Sequence, residues 1–375
     1  MFIVWGLYFL STLLACWFDP SSIDGFGKAE SYEEYIFVFY AIMVCYALSP
    51  LYAIRSKSMR PILTDYKFNK HERWFIWILI IGAVYSIIYT VPYAVKSIGL
   101  GAHQVRRVAL RDADVSVLPK TIWTTVAVAF ATFFSIYLSL FFMAIKSNLR
   151  MITKVLLLVS SLSYVVSSLA YTARDGLLFF MLFSVIFLTV YWSWFNPKLQ
   201  RSLTYVLIFL FSAAFYFLAD FTVDRWGDSS STGIMSYVAT QPYVFAENFT
   251  RRDFIHEEDF YGLGLRFPLL SDIFGGTTLI ERSEPYEWTF GTFLTDFYNV
   301  SGLTSLMFFT IAFTEFFRFQ FRISRNHQMR FSICYIFYIH FIVSGLFYFR
   351  LGSFSGNIFI LLLIIALYAY RKWKF

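Results

Sequence analysis

A chain of 375 residues that is 58% hydrophobic and only 15% charged, with a mean hydropathy of +0.60, is not an ordinary soluble domain. Its formal charge of +7 does not mark a nucleic-acid binder, because the basic residues sit in short clusters between apolar runs, as retained cytoplasmic loops do. Cys16, Cys45 and Cys334 fall inside apolar runs without metal-ligand spacing and read as small packing residues.

Apolar windows of about 17–25 residues are long enough to cross a bilayer. Ten such windows predict helices at 1–18, 35–54, 74–95, 121–145, 151–171, 176–195, 203–221, 292–317, 331–349 and 353–370. The first lacks a basic n-region and reads as a helix, not a cleaved signal peptide; "LLAC" at 13–16 resembles a lipoprotein box without the positive charges that precede one. An aromatic content of 22%, with 47 Phe and 26 Tyr, suits lipid-facing helices with interfacial belts. The expected fold is therefore an all-α polytopic membrane protein of about ten transmembrane helices, one domain over 1–375.

The connections divide into two sides. Segments 55–73, 146–150, 196–202, 318–330 and the tail "RKWKF", with Lys154, carry 18 of the 31 Lys and Arg residues, so this side is expected to be cytoplasmic together with both termini. The other side holds 19–34, 96–120, 172–175, 350–352 and the long segment 222–291, which is too polar to span and is expected to form short helices and ordered loops. Ten of its 13 basic residues are Arg, whereas eight of the 18 on the cytoplasmic side are Lys. Charge retention needs only charge, so an Arg-biased outer face points to forked recognition of phosphate or carboxylate.

Arg174 interrupts the run "SSLAYTARDGLLFFMLFSVI" at a turn between two windows, with Asp175 or Thr172 placed to cap a helix beginning at Gly176. An arginine in hydrocarbon costs about 2.5–3.5 kcal/mol, but at a helix N-terminus near headgroup depth it makes an anion site. Snorkelling of Arg174 beside a capping Asp175 explains the same residues. Arg350 holds a similar turn position and Arg225 follows the seventh window, so three arginines at one depth could converge on a pyrophosphate. Arg251, Arg252 and Arg266 stand in 222–291. "GLGLRF" and "GLGAH" precede no Rossmann-type unit, His340 is mid-window and reads as hydrogen-bonded to a neighbouring helix, and Asp296 and Asn299 at the entrance of the eighth window are expected to face protein. No Asp, Glu and His residues share metal spacing, so neither metal nor cofactor is expected. No pair of mirrored half-helices, which many transporters carry, is legible.

"ARDGLLFFML", "YVATQPYVFAENF" (237–249) and "EWTFGTFLTDFYNVSGLTSLMFF" (287–309) resemble an oligosaccharide repeat-unit polymerase of the O-antigen (Wzy) type. Arg251 with Gly262, and His256 with Gly264, fit spacings found in outer loops of that family; Asp296-Phe297-Tyr298 departs from the Asp-Phe-Gly of many relatives. The resemblance implies a C-class glycosyltransferase in a bacterial inner membrane, working at the periplasmic face on undecaprenyl-pyrophosphate-linked oligosaccharide, with the lipid bilayer and a chain-length regulator protein as partners and no nucleic acid. Arg174, Arg225, Arg251, Arg252, Arg266 and Arg350 would then bind pyrophosphate. Glu247, His256 and Asp296, with Glu257, Glu258 and Asp259, are the groups available to orient or deprotonate the acceptor hydroxyl. An O-antigen ligase and a polysaccharide flippase or other transporter are the rival readings.

Overall fold

A computed structural model describes residues 2–17, 33–55, 67–100, 118–119, 121–171, 173, 175–192, 195–226, 230–250, 292–324, 328–346 and 354–372. Among them there is no strand. The helices in chain order are α1 (Phe2–Trp17), α2 (Glu34–Leu48), α3 (Pro50–Arg55), α4 (Lys70–Leu100), α5 (Ile122–Thr132), α6 (Phe134–Ile145), α7 (Met151–Ser161), α8 (Ser163–Ala170), α9 (Asp175–Tyr191), α10 (Pro197–Trp226), α11 (Ser230–Thr250), α12 (Phe293–Ser301), α13 (Leu303–Ile323), α14 (Gln328–Ser344) and α15 (Phe354–Lys372).

Each of the ten apolar windows holds helix. Among the described residues three stretches are long and apolar enough to cross a membrane: Glu34–Tyr52, Lys70–Gly99 and Met151–Ala170. The pair α5 and α6, bent by 43°, makes a fourth if it is one span. Two expectations change. The sequence predicts short helices and ordered loops over 222–291, yet α10 continues to Trp226 and α11 runs for 21 residues, with Ala239 to Asn248 all buried. Several windows are also broken, at Ser49, Phe133, Leu162 and Gly302.

The chain forms two compact units, 63–230 and a second built from 1–62 with 231–375. In the 63–230 unit, α4 starts with a reciprocal cap. The Glu72 N–H donates to Asn69 Oδ1 and the Asn69 N–H donates to Glu72 Oε2, each at 2.9 Å, which satisfies two donors that the helix leaves open. Ala83, Ser86, Thr90, Ala94 and Ser97 form a buried stripe of small residues on α4, while Ile81, Ile88, Val91, Val95 and Ile98 remain exposed. Small side chains let helices approach closely where lipid offers no hydrophobic drive, and Ser97 Oγ donates to the Ala170 carbonyl of α8 at 2.9 Å. Phe134 ties α6 to its neighbours, stacking on Tyr164 of α8 and meeting Phe183 of α9 edge-on, with centroids 4.9 and 5.2 Å away.

In the other unit α1 buries Val4, Tyr8, Ser11 and Ala15 at helical spacing and exposes Phe9, Leu10, Leu13 and Trp17. Tyr8 and Tyr338 spend their hydroxyls on carbonyls of other helices, Ile342 at 2.7 Å and Ala47 at 2.8 Å. The break between α2 and α3 at Ser49 is tied to α13. Arg318 donates to Ser49 Oγ (2.6 Å) and pairs with Glu315 (2.5 Å), and the Tyr46 hydroxyl donates to Glu315 (3.0 Å).

Candidate functional site

The unit of 1–62 and 231–375 buries an unusual number of polar side chains on α11 and α12, the helices on either side of segment 251–291. α11 is seated by α1 and α2. Ser11 Oγ donates to Gln241 Oε1 (3.4 Å), the Tyr243 hydroxyl donates to the Ala15 carbonyl, and Phe39 and Tyr40 pack on Phe245. Pro242 lies inside this helix and removes one backbone donor. Glu247 is 6% exposed and Asn248 is fully buried.

Nine residues make α12, and eight of them, Phe293 to Val300, are buried. Its apolar side is fixed by Phe293 and Phe297 against Phe341 of α14 (5.5 and 6.1 Å) and by Tyr298 against Phe249 of α11 (5.3 Å), whose carbonyl accepts from the Tyr298 hydroxyl at 3.3 Å. The helix stops at Gly302, whose φ of 71° is open to glycine and costly for other residues. Ser305, one turn into α13, seals the break. Its Oγ accepts from the Ser301 N–H at 2.9 Å and shares its proton between the Phe297 and Gly302 carbonyls at 2.7 and 2.9 Å.

Thr292, Thr295, Asp296 and Asn299 fall at i, i+3, i+4 and i+7, so they share the face of α12 turned away from Phe293 and Phe297. All four are buried, Asp296 and Asn299 at 7%. Thr292 stands beside the buried Tyr40 of α2. Among the described residues neither Thr295 Oγ1 nor Asn299 Oδ1 has a hydrogen-bond partner. A buried polar atom left unmatched costs about 1–3 kcal/mol, so two on one face call for an explanation. His340 on α14 is also buried and stacks on Phe359 of α15 at 4.3 Å.

Of the residues singled out from the sequence, Glu247 and Asp296 are both buried, on helices of one unit that meet through Phe249 and Tyr298. Asp296 and Asn299 face protein, as expected. Arg225 lies in the last turn of α10, in the 63–230 unit, and not in a loop after the helix. Arg174, Arg251, Arg252, His256, Glu257, Glu258, Asp259, Arg266 and Arg350 lie outside the described residues. Gln241, Asn248, Thr292 and Thr295 were not singled out, although polar residues at i, i+3, i+4 and i+7 in an apolar window are a readable signal.

Asp175 corrects another expectation. The helix starts at Asp175 itself and not at Gly176, so this carboxylate lies in the first turn, where the helix dipole favours it. The Tyr164 hydroxyl donates to its Oδ2 at 2.8 Å, and its Oδ1 is closed off from solvent. That enclosure pushes the carboxyl up to about 7, against backbone hydrogen bonds from Gly176 and from its own residue that pull it down. α8 and α9 meet closely here, since a Cβ on Gly176 would fall 2.0 Å from Ser168 Oγ and 2.8 Å from the Tyr164 carbonyl oxygen.

Among the described residues no three His, Cys, Asp or Glu side chains gather as a metal site would require. No model of a known protein family, no curated protein and no solved structure matches this chain.

Proposed function

We propose that the protein is a ten-span glycosyltransferase of the inner membrane that joins undecaprenyl-pyrophosphate-linked oligosaccharide repeat units, as an O-antigen polymerase does, at the periplasmic face. One observation carries the reading: two buried carboxylates, Glu247 and Asp296, stand on packed helices that bracket the segment bearing Arg251, Arg252 and Arg266. An ionisable group buried in a membrane protein is costly and is retained for function.

In the proposed step the acceptor hydroxyl oxygen bonds to the anomeric carbon of the growing glycan. The bond from that carbon to the pyrophosphate oxygen breaks, and the lipid pyrophosphate leaves with the electron pair. Asp296 or Glu247 takes the acceptor proton. Arg350 and the arginines of 251–266 meet the charge growing on the leaving group, which asks nothing of a metal.

The test uses purified protein and lipid-linked units extracted from a strain lacking the gene, which should retain single repeat units and lose polymer. Asp296→Asn, a change of one atom type, is expected to lower polymerisation about 10²- to 10⁴-fold. Arg350→Lys, which keeps charge and loses the fork, should lose most activity while the protein still accumulates. Wild-type rates in both variants would overturn the reading.

The break at Gly302, which ends the short helix carrying the buried Asp296, favours a second reading, movement of the lipid-linked glycan across the membrane, because discontinuous helices build transporter sites. Proteoliposomes that translocate labelled lipid-linked units without forming polymer would decide for it.

A further inference from the structure

We infer that the buried face of α12 formed by Thr292, Thr295, Asp296 and Asn299 is a saccharide subsite that holds the ring hydroxyls of an uncharged sugar. The inference deepens the transfer reading and rests on it for which glycan is bound. Three observations narrow the ligand.

The face carries three neutral hydrogen-bonding side chains and one carboxylate, with Thr295 Oγ1 and Asn299 Oδ1 unmatched among the described residues. Hydroxyls and amides both donate and accept, which is the complement a sugar hydroxyl needs and an anion does not. Second, the polar positions extend over seven residues, about 10 Å along a helix axis. Ligands around one cation must instead converge within roughly 2.3–2.6 Å of a point. The spread suits consecutive rings of a glycan. Third, aromatic side chains border this face of the helix. Tyr298, on the same short helix, packs with Phe249 and Phe245 of α11, and Tyr40 stands beside Thr292. Aromatic surface next to a few fixed polar groups is the usual make-up of a small-ligand site.

α12 is also held still. Its first N–H is bonded to Gly345, and its far end is closed by Ser305, so a ligand meets side chains already in place. Such a subsite would choose which sugar of the incoming unit reaches the carboxylates. Thr292, Thr295 and Asn299 set specificity, while Asp296 stays one of the two carboxylates that take the acceptor proton.

The measurement is calorimetric binding of the single-unit oligosaccharide, freed from its lipid by mild acid, to the full chain in nanodiscs, alongside the polymerisation assay. Asn299→Ala and Thr295→Val are expected to weaken binding roughly tenfold or more each, while Thr295→Ser, which keeps the hydroxyl, binds like wild type. The Val and Ser pair at 295 decides the matter if Asn299→Ala does not accumulate. Wild-type affinity in Thr295→Val, no saturable binding by wild type, or a melting temperature raised by NaCl and not by the oligosaccharide would each overturn the subsite. Polymer made by Thr295→Val at wild-type KM leaves transfer standing and removes the subsite. Wild type that binds the sugar through Thr295 and makes no polymer removes transfer and leaves the subsite.

Discussion

The backbone N–H of Phe293 donates to the carbonyl of Gly345 at 3.0 Å, and the Phe293 ring lies against the place where a Gly345 side chain would stand. A Cβ there would sit 3.0 and 3.1 Å from Phe293 side-chain atoms and 2.7 Å from the Phe341 carbonyl oxygen. The start of α12 is therefore docked on the end of α14 through a residue with no side chain. Gly345→Ala should destabilise this unit by about 1–3 kcal/mol, the usual cost of overpacking a filled core. Thermal unfolding in nanodiscs, followed by tryptophan fluorescence, measures it. An unchanged midpoint would mean that α12 is not fixed at this point.

Asp175 ties stability to pH. Its carboxyl ionises near 7 in the folded protein and near the ordinary 3.8 when unfolded. Between those values the folded state binds more protons than the unfolded state, so stability is fully present below about 4 and falls as pH rises through 7. Asp175→Asn removes the titration, and its melting temperature should lose less than that of wild type between pH 5 and pH 8. Parallel melting curves of the two proteins would refute the assignment. Tyr164→Phe, which deletes the donor to Oδ2, should push the carboxyl higher still.

Sidedness is tested by fusions. Phosphatase and galactosidase reporters placed after Lys198 and after Arg252 should report opposite sides of the membrane, Lys198 cytoplasmic and Arg252 periplasmic. Reports of the same side would end the ten-span arrangement proposed above.

The helices were legible because apolar windows and caps are local. Thr121, whose Oγ1 accepts from the Thr124 N–H at 3.2 Å, stands at the start of its window, whereas the Asn69 and Glu72 cap went unread and the window at 74 begins four residues after α4 does. The breaks were harder to read. Ser49-Pro50 and Gly302 carry the expected punctuation, but Phe133 and Leu162 have neither Gly nor Pro. Hydroxyls replace it. Thr132 donates to the Ala129 carbonyl at 2.7 Å and Ser161 to the Leu158 carbonyl at 2.6 Å, competing with the main-chain ladder as Ser and Thr do where helices bend. In the candidate site, charge drew the eye to Asp296 and Glu247, and polarity averaged over 222–291 hid α11. Average polarity misleads where a protein interior, not lipid or water, surrounds the helix. Thr292 and Thr295 escaped notice because a lone threonine in an apolar window is usually a helix-packing residue, and only the shared face with Asp296 and Asn299 sets them apart.

The joint between α12 and α13 limits which amino acids two positions can hold. Position 302 has to take a backbone angle that favours glycine, and position 305 needs one small side chain that can accept from an amide while donating to carbonyls. Only serine, or threonine with room for a methyl, meets the second demand. Exposed neighbours such as Leu303, Met307 and Phe308, each at least 40% exposed, are free to exchange among apolar residues of similar bulk. In descendants of this chain the outer stripe of α13 should therefore drift quickly, while Gly302 and Ser305 stay as a nearly invariant pair three residues apart.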